Sequence, residues 1–297
     1  MITHDRIPHY YDWLSRYVQL SNWLAYRDRF AGFTMHQSLA PPGEPRDGRG
    51  GLRAGLEYCN DRMLAVAREH GLPAVPRVLD AGCGFGGTMF HWQRRVGGRH
   101  DGLTLSKVQV NVGERHARAQ GIADACRFYR RSYDVALDPD YDAIVAIESL
   151  IHAPDLGRTI ANLAGGLRPG GVLLVLDDMA TGNLDAARPA DAAVVRANWG
   201  CPGRFPCDAD FRAAIEGAGL RVVAEEDFSP LVRVRPERLL ARQERILARL
   251  KRAVPLAPVR TIASAFLGGV ALERLRGSGD VGYRLIVARP PGRRHQT

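Results

Sequence analysis

The chain has 297 residues, 45% of them hydrophobic, enough to bury one large core with an added cap and leaving only the ends as candidates for disorder. Its 41 Lys and Arg against 32 Asp and Glu give a formal charge of +9, which suits nucleic acid, an anionic membrane surface, an anionic substrate or a plain solvated arginine-rich surface. Five cysteines (Cys59, Cys83, Cys126, Cys201 and Cys207) are an odd number without metal spacing, no leader opens the chain and no run of about 18 apolar residues occurs, so a reduced cytoplasmic protein is expected, soluble or peripheral to a membrane and without a metal.

Residues 8–40 concentrate aromatic side chains, among them Tyr10, Tyr11, Trp13, Tyr17, Trp23, Tyr26, Phe30 and Phe33. Trp13, Tyr17, Leu20 and Trp23-Leu24 recur at helical spacing and predict one or two helices before any strand. These rings either fasten the segment to the core or form the inner face of a lid over an apolar pocket, with His36 and Arg27 or Arg29 as polar contacts. The Pro- and Gly-rich stretch 41–51 is a loop, closing an N-terminal cap over residues 1–50. A helix is predicted over 52–70, ended by Gly71 ahead of Pro73.

From Val78 onward strands and helices alternate. Strands are predicted at 78–79, 100–105, 126–129, 141–147 and 172–176, with helices over 86–95, 106–120 and 156–167 between them. The run Tyr141-Asp-Ala-Ile-Val-Ala-Ile147 is of the kind buried on both faces of a parallel sheet. The alternation predicts an α/β, doubly wound sheet. An excursion over 183–206 holds Trp199 and is placed to cover a site, then a helix over 208–219 and a strand within 220–228 follow. The segment 236–254 is an amphipathic helix, with Leu239, Leu240, Gln243, Ile246, Leu247, Leu250 and Val254 on one face and Arg238, Arg242, Arg245, Arg249 and Arg252 on another. Its plain reading is a helix packed on the core with a solvated outer face; attachment to anionic membrane and contact with a substrate diphosphate are the alternatives. A helix over 261–275 and a strand over 281–288 complete the chain. The divisions are thus 1–50, a core over 51–230, a helical insertion over 231–278 and a final strand with its tail over 279–297.

The densest chemistry lies at Asp80-Ala-Gly-Cys-Gly-Phe-Gly86, a strand end, a tight turn and a helix start. Glycines there permit positive φ and let a ligand approach the backbone. Gly82, Gly84 and Gly87 also satisfy the dinucleotide fingerprint, but Asp80 would repel a pyrophosphate, and the next strand ends Gly102-Leu-Thr-Leu-Ser106 without the acid that a dinucleotide ribose requires. A cationic ligand without phosphate fits better, namely S-adenosylmethionine (SAM). The segment resembles motif I of the class I SAM-dependent methyltransferases. That resemblance covers roughly residues 75–230 and implies a Rossmann-like, mostly parallel sheet with an antiparallel last strand. It also implies SAM as methyl donor, S-adenosylhomocysteine as product, and a cofactor site at Asp80, Gly82, Cys83, Gly84, Thr104, Leu105, Ser106, Gln109, Ser132, Tyr133, Asp134 and Ile147.

Hydroxyls and an amide in place of the ribose-binding acid resemble the branch containing cyclopropane-fatty-acid synthases and tocopherol, sterol and prenyl-diphosphate C-methyltransferases, in which Thr104 and Gln109 match ribose contacts. The stretch Ala146-Ile-Glu-Ser-Leu-Ile-His152 leaves the sheet at its carboxyl edge and resembles the Glu-containing motif of that branch. There Glu148 is expected to stabilise a carbocation formed by alkene methylation and then remove a proton, or else to cap the next helix or bind SAM indirectly. His152 is either structural or the general base of an O-methyltransferase. Tyr10, Tyr11, Phe30, Phe33, His36 and Trp199 are the candidates for an apolar substrate pocket. A small lipophilic molecule of isoprenoid, sterol-like or polyketide-like kind is the expected partner. No Asn-Pro-Pro-Tyr motif follows the fourth strand, so nucleic acid is not expected, and the oligomeric state is left open, a homodimer included.

Overall fold

The computed structural model describes residues 11–18, 33–41, 49–201 and 203–291. A seven-stranded sheet organises the described chain. Its strands are β1 (Arg77–Ala81), β2 (Arg99–Thr104), β3 (Cys126–Arg130), β4 (Tyr141–Ile147), β5 (Leu167–Ala180), β6 (Arg221–Asp227) and β7 (Val281–Arg289), in the order β3-β2-β1-β4-β5-β7-β6. Pairing is parallel from β3 to β5, and β7 runs antiparallel to both β5 and β6. This is the mostly parallel sheet with an antiparallel last strand that the motifs implied.

The helices are α1 (residues 11–18), α2 (Arg49–Glu69), α3 (Gly87–Val96), α4 (Lys107–Ala119), α5 (Leu156–Gly165), α6 (Leu184–Ala187), α7 (Pro189–Trp199), α8 (Asp208–Gly217), α9 (Glu237–Ala253) and α10 (Ala257–Gly277). On one face of the sheet Val145 of β4 and Leu174 of β5 pack with Met63 of α2 and Trp92 of α3. On the other, Ile144 and Leu173 pack with Ile160 of α5 and Phe211 of α8. Because both faces are covered, these strands are apolar throughout instead of alternating. Each such fully buried aliphatic or aromatic side chain contributes about 1.5–3 kcal/mol. Local signals set the helix starts: Ser106 accepts a hydrogen bond from the backbone N–H of Gln109, and Asp155 accepts one from that of Arg158.

β1 lies between β2 and β4, so the chain leaves β1 and β4 toward opposite sides of the sheet. A crevice opens at their carboxyl ends, the place where open α/β sheets bind ligands. Over it sits a helical cover assembled from three separate pieces of chain. α7 from the excursion after β5 and α10 from the insertion before β7 share an apolar core of Val195, Ala271, Leu272 and Leu275. Trp199 packs against Gly268, where a Cβ would come within 2.4 Å of its indole nitrogen, and that nitrogen donates to Ala265 O at 2.9 Å. α1 completes the cover, its Tyr17 ring standing edge-on to Phe266 of α10 at 5.5 Å.

Four expectations are revised. β5 runs well beyond 172–176, because its far end, including Asp177 and Asp178, pairs with Val281 to Arg284 of β7. The excursion contains α7, whose pattern was hidden by its alanines. On α1 the inner face is Tyr11, Leu14 and Val18, one step round from the expected stripe; Trp13 is 39% exposed, with the Arg16 guanidinium 5.1 Å from its ring. On α9 only Leu240 is buried, and Leu239, Ile246 and Leu250 face outward. Leu20, Trp23, Leu24, Tyr26, Arg27 and Arg29 fall outside the described residues, as do Tyr10 and Phe30.

Candidate active site

The crevice encloses a cavity of about 540 Å³, a size that suits a cofactor with a small acceptor. Its floor is the turn after β1. Gly82 has φ 104 and Gly86 φ 86, conformations that favour glycine. Positive φ is the expected reason for glycine here; a second is close packing of the protein on itself. A Cβ on Gly82 would meet Ser149 at 2.4 Å, one on Gly86 would meet Phe128 at 2.5 Å, and one on Gly87 would meet Thr34 at 2.3 Å. The glycines therefore let other protein segments close around the turn, and Gly84, where a Cβ would lie 3.3 Å from Met35 Sδ, fronts the cavity.

Asp80, Gly82, Cys83, Gly84, Thr104, Leu105, Gln109, Ser132, Tyr133 and Ile147 all line the cavity. Asp80 is 3% exposed and accepts no hydrogen bond from a described residue, and burial pushes its carboxyl up to about 7. A buried carboxylate in that state is suited to a cationic ligand group, which would restore its charge. Thr104 Oγ1 donates to Gln109 Oε1 at 2.5 Å, and Gln109 Nε2 donates to Ser15 Oγ of α1 at 3.1 Å. Tyr133 donates to Ser149 O at 2.9 Å. Ser106 and Asp134, in contrast, stand outside the lining and complete local structure. Ser106 caps α4 and donates to Asp12 Oδ1 at 2.5 Å, while Asp134 accepts from Ser132 and Thr159 at 2.9 and 2.7 Å.

The opposite wall begins at Glu148, whose φ of 47 makes it the one described non-glycine residue in left-handed backbone. Such a conformation costs about 1–2 kcal/mol and turns the side chain into the crevice. Its Oε1 accepts from Gln37 N at 2.6 Å and from the Tyr283 hydroxyl at 2.8 Å. No described residue donates to Oε2. Burial, and next the Asp178 carboxylate, raise the Glu148 pKa, opposed by the charge of Arg276 and the two hydrogen bonds. Arg276 Nε and Nη2 form a fork on Asp178 at 2.7 and 2.6 Å, and its Nη1 donates to Gln37 Oε1 at 3.0 Å. Burial opposes the guanidinium charge, but the Asp178 charge and hydrogen bonds hold it above the ordinary arginine range. Neighbouring Asp177 accepts from Leu150 N and Asp178 N, fixing the 3-10 turn that carries His152 (Leu150–His152); burial and Asp178 raise its pKa strongly.

Tyr11 Oη lies 2.5 Å from His152 Nε2, and both line the cavity with Phe33, His36, Trp199 and Phe266. His36 Nδ1 is 3.0 Å from Gln37 O, and burial lowers its pKa, which favours a neutral ring. Asp178, Arg276, Gln37 and Tyr283 were missed from sequence. The signal for Asp178 was visible, two acids closing an otherwise apolar strand; nothing local marked the others. Among the described residues no group of three or more His, Cys, Asp or Glu could hold a metal ion, and no helix is long and apolar enough to cross a membrane.

Residues 78–171 match the family model for a methyltransferase domain. The chain is similar to methyltransferase GfsG of Streptomyces halstedii, 36% identical over 138 residues, covering 44% of this chain and 48% of that protein. It is also similar to the sterol 24-C-methyltransferase of Yarrowia lipolytica, 28% identical over 169 residues, or 55% of this chain and 44% of the other. The chain spans about half the length of the curated relatives it matches. Among solved structures it is similar to a geranyl diphosphate methyltransferase in complex with GPP and sinefungin, with a TM-score of 0.73 at 21% identity over 96% of this chain and 98% of that one. The cyclopropane synthase MmaA2 of Mycobacterium tuberculosis gives 0.71 at 18% identity over 95% and 98%.

Proposed function

We propose that this chain, whose residues 78–171 form the core of a class I SAM-dependent methyltransferase, methylates an alkene carbon of a small lipophilic molecule with Glu148 as the base. The observation that carries the proposal is the Glu148 carboxylate, held through one oxygen in a cavity walled by Tyr11, Phe33, Trp199 and Phe266. When bound, SAM supplies an electrophilic methyl group and leaves as S-adenosylhomocysteine. Asp80 would hold its ammonium end, with Thr104 and Gln109 toward the ribose and Tyr133 toward the base. The backbone around Gly82, Cys83, Gly84, Leu105, Ser132 and Ile147 would complete the contact.

On the acceptor, the alkene π pair forms the new carbon–carbon bond and leaves a tertiary carbocation. Glu148 stabilises that cation, the aromatic walls add cation–π attraction, and the carboxylate then takes a neighbouring proton to restore a double bond. The hydrogen bonds from Gln37 and Tyr283 occupy Oε1 and so direct Oε2 at the acceptor. Named relatives support a carbon acceptor, since sterol 24-C-methyltransferases are among them.

A second reading, O-methylation with His152 as base, draws support from the Tyr11–His152 contact in the cavity. Tyr11 then holds the position an acceptor hydroxyl would need to take. The test is transfer of labelled methyl from SAM into an extract of the source organism, partitioned into organic-soluble material, RNA and protein. Label in an organic-soluble product whose new methyl is carbon-bound is expected. An oxygen-bound methyl would transfer the base to His152, and label confined to RNA or protein would overturn both readings.

A further inference from the structure

We propose that α9 docks this protein on an anionic lipid surface, with the cavity mouth facing the bilayer. Leu239, Ile246 and Leu250 lie within 40° of one another on the helix circumference, by the 100° step between successive residues, and are 44%, 54% and 40% exposed. Leu256, just beyond the helix, is 61% exposed. Along one flank of this stripe run Arg238, Arg242, Arg245, Arg249 and Arg252, none of which forms an ion pair with a described residue. Along the other flank lies Gln243, which lines the cavity.

The acidic and basic side chains of α9 are sorted by face. Glu237 and Glu244 turn to Arg274 of α10, and Lys251 donates to Asn198 Oδ1 at 3.0 Å. That leaves the outward face purely cationic beside an aliphatic stripe, the composition of a helix lying in a membrane interface. Arginine stems cover apolar surface while their heads reach anionic headgroups, and each basic residue near such a surface adds attraction. A second copy packed face to face on this stripe would set one arginine row against another. Nucleic acid would satisfy the arginines and leave the aliphatic stripe without a partner, since exposed Leu and Ile offer no ring for bases to stack on. Supply of acceptor from the bilayer to the cavity rests on the methyl-transfer reading; the docking itself does not.

The experiment is co-sedimentation of the full chain with vesicles of phosphatidylcholine alone or with about 30 mol % phosphatidylglycerol, a content chosen to give a negative surface potential. Expected is binding to the anionic vesicles, weakened by added salt, and reduced by about tenfold or more both in Arg242→Glu/Arg249→Glu and in Ile246→Ser/Leu250→Ser. SAM affinity should be unchanged in both variants, which separates a lost surface from a lost fold. Equal binding of all three proteins, equal binding to neutral vesicles, or no vesicle binding would overturn the proposal. So would capture of transfer RNA in place of vesicles, or a dimer that Ile246→Ser/Leu250→Ser dissociates while vesicle binding persists.

Discussion

The two walls of the cavity are built on different principles. The β1–β2 wall is largely local in sequence: the two short segments Asp80 to Gly87 and Thr104 to Gln109 supply most of it, with Ser132 and Tyr133 beside them, and its geometry comes from turns and a capped helix. The β4–β5–β7 wall is assembled across the chain. Gln37, Glu148, Asp178, Arg276 and Tyr283 come from five separate segments and meet through hydrogen bonds around one buried ion pair, Arg276–Asp178. On the proposed reading, a cofactor shared by many acceptors can be held by a local motif, whereas a base matched to one acceptor needs a position that only the complete fold defines.

The difference can be sharpened by breaking each wall separately. The largest effect is expected from Arg276→Met, which strands the Asp178 carboxylate, 4% exposed at its side chain. Losing one partner of a buried ion pair costs about 3–5 kcal/mol, visible as a lower urea midpoint, and adding Asp178→Asn should recover part of it. Next is Asp80→Asn on the other wall, expected to weaken SAM binding by about tenfold or more while the midpoint moves little. The sign of the pH effect follows from the raised carboxyl. Below about 7 Asp80 is protonated in the free protein and must release that proton to meet a cation, so SAM affinity should fall with falling pH in the wild type and flatten in Asp80→Asn. Titration calorimetry in buffers of different ionisation enthalpy would detect the proton.

The smallest effect should come from Tyr283→Phe. The Tyr283 hydroxyl lowers the pKa of Glu148, so its removal raises that pKa further. A base works deprotonated, hence the acid limb of kcat/KM should move to higher pH, by about half to one unit for one hydrogen bond. SAM affinity should not change. A shift in SAM affinity without a shift of the limb would erase the distinction between the walls.

Legibility in the sequence follows the same division. The strand positions, the turn after β1 and the cavity positions of Asp80, Thr104 and Gln109 could be read because they depend on residues a few positions apart. Glu148 was legible as a strand-end acid, though its positive φ was not, since nothing in Ile147-Glu-Ser149 demands it. Arg276 sits among Leu275 and Gly277 at the end of a helix with no motif, and its role exists only once α10 is folded back over β5. The stripe on α9 misled because an amphipathic pattern states that two faces differ, without saying which neighbour each will meet.

The most direct test of the central claim is Glu148→Gln, measured for SAM binding by calorimetry and for labelled methyl transfer into organic-soluble acceptor. Unchanged SAM affinity with turnover lowered by about two to four orders of magnitude is the predicted result. Near-normal turnover would remove Glu148 from the chemistry, and loss of SAM binding would move it to the cofactor wall.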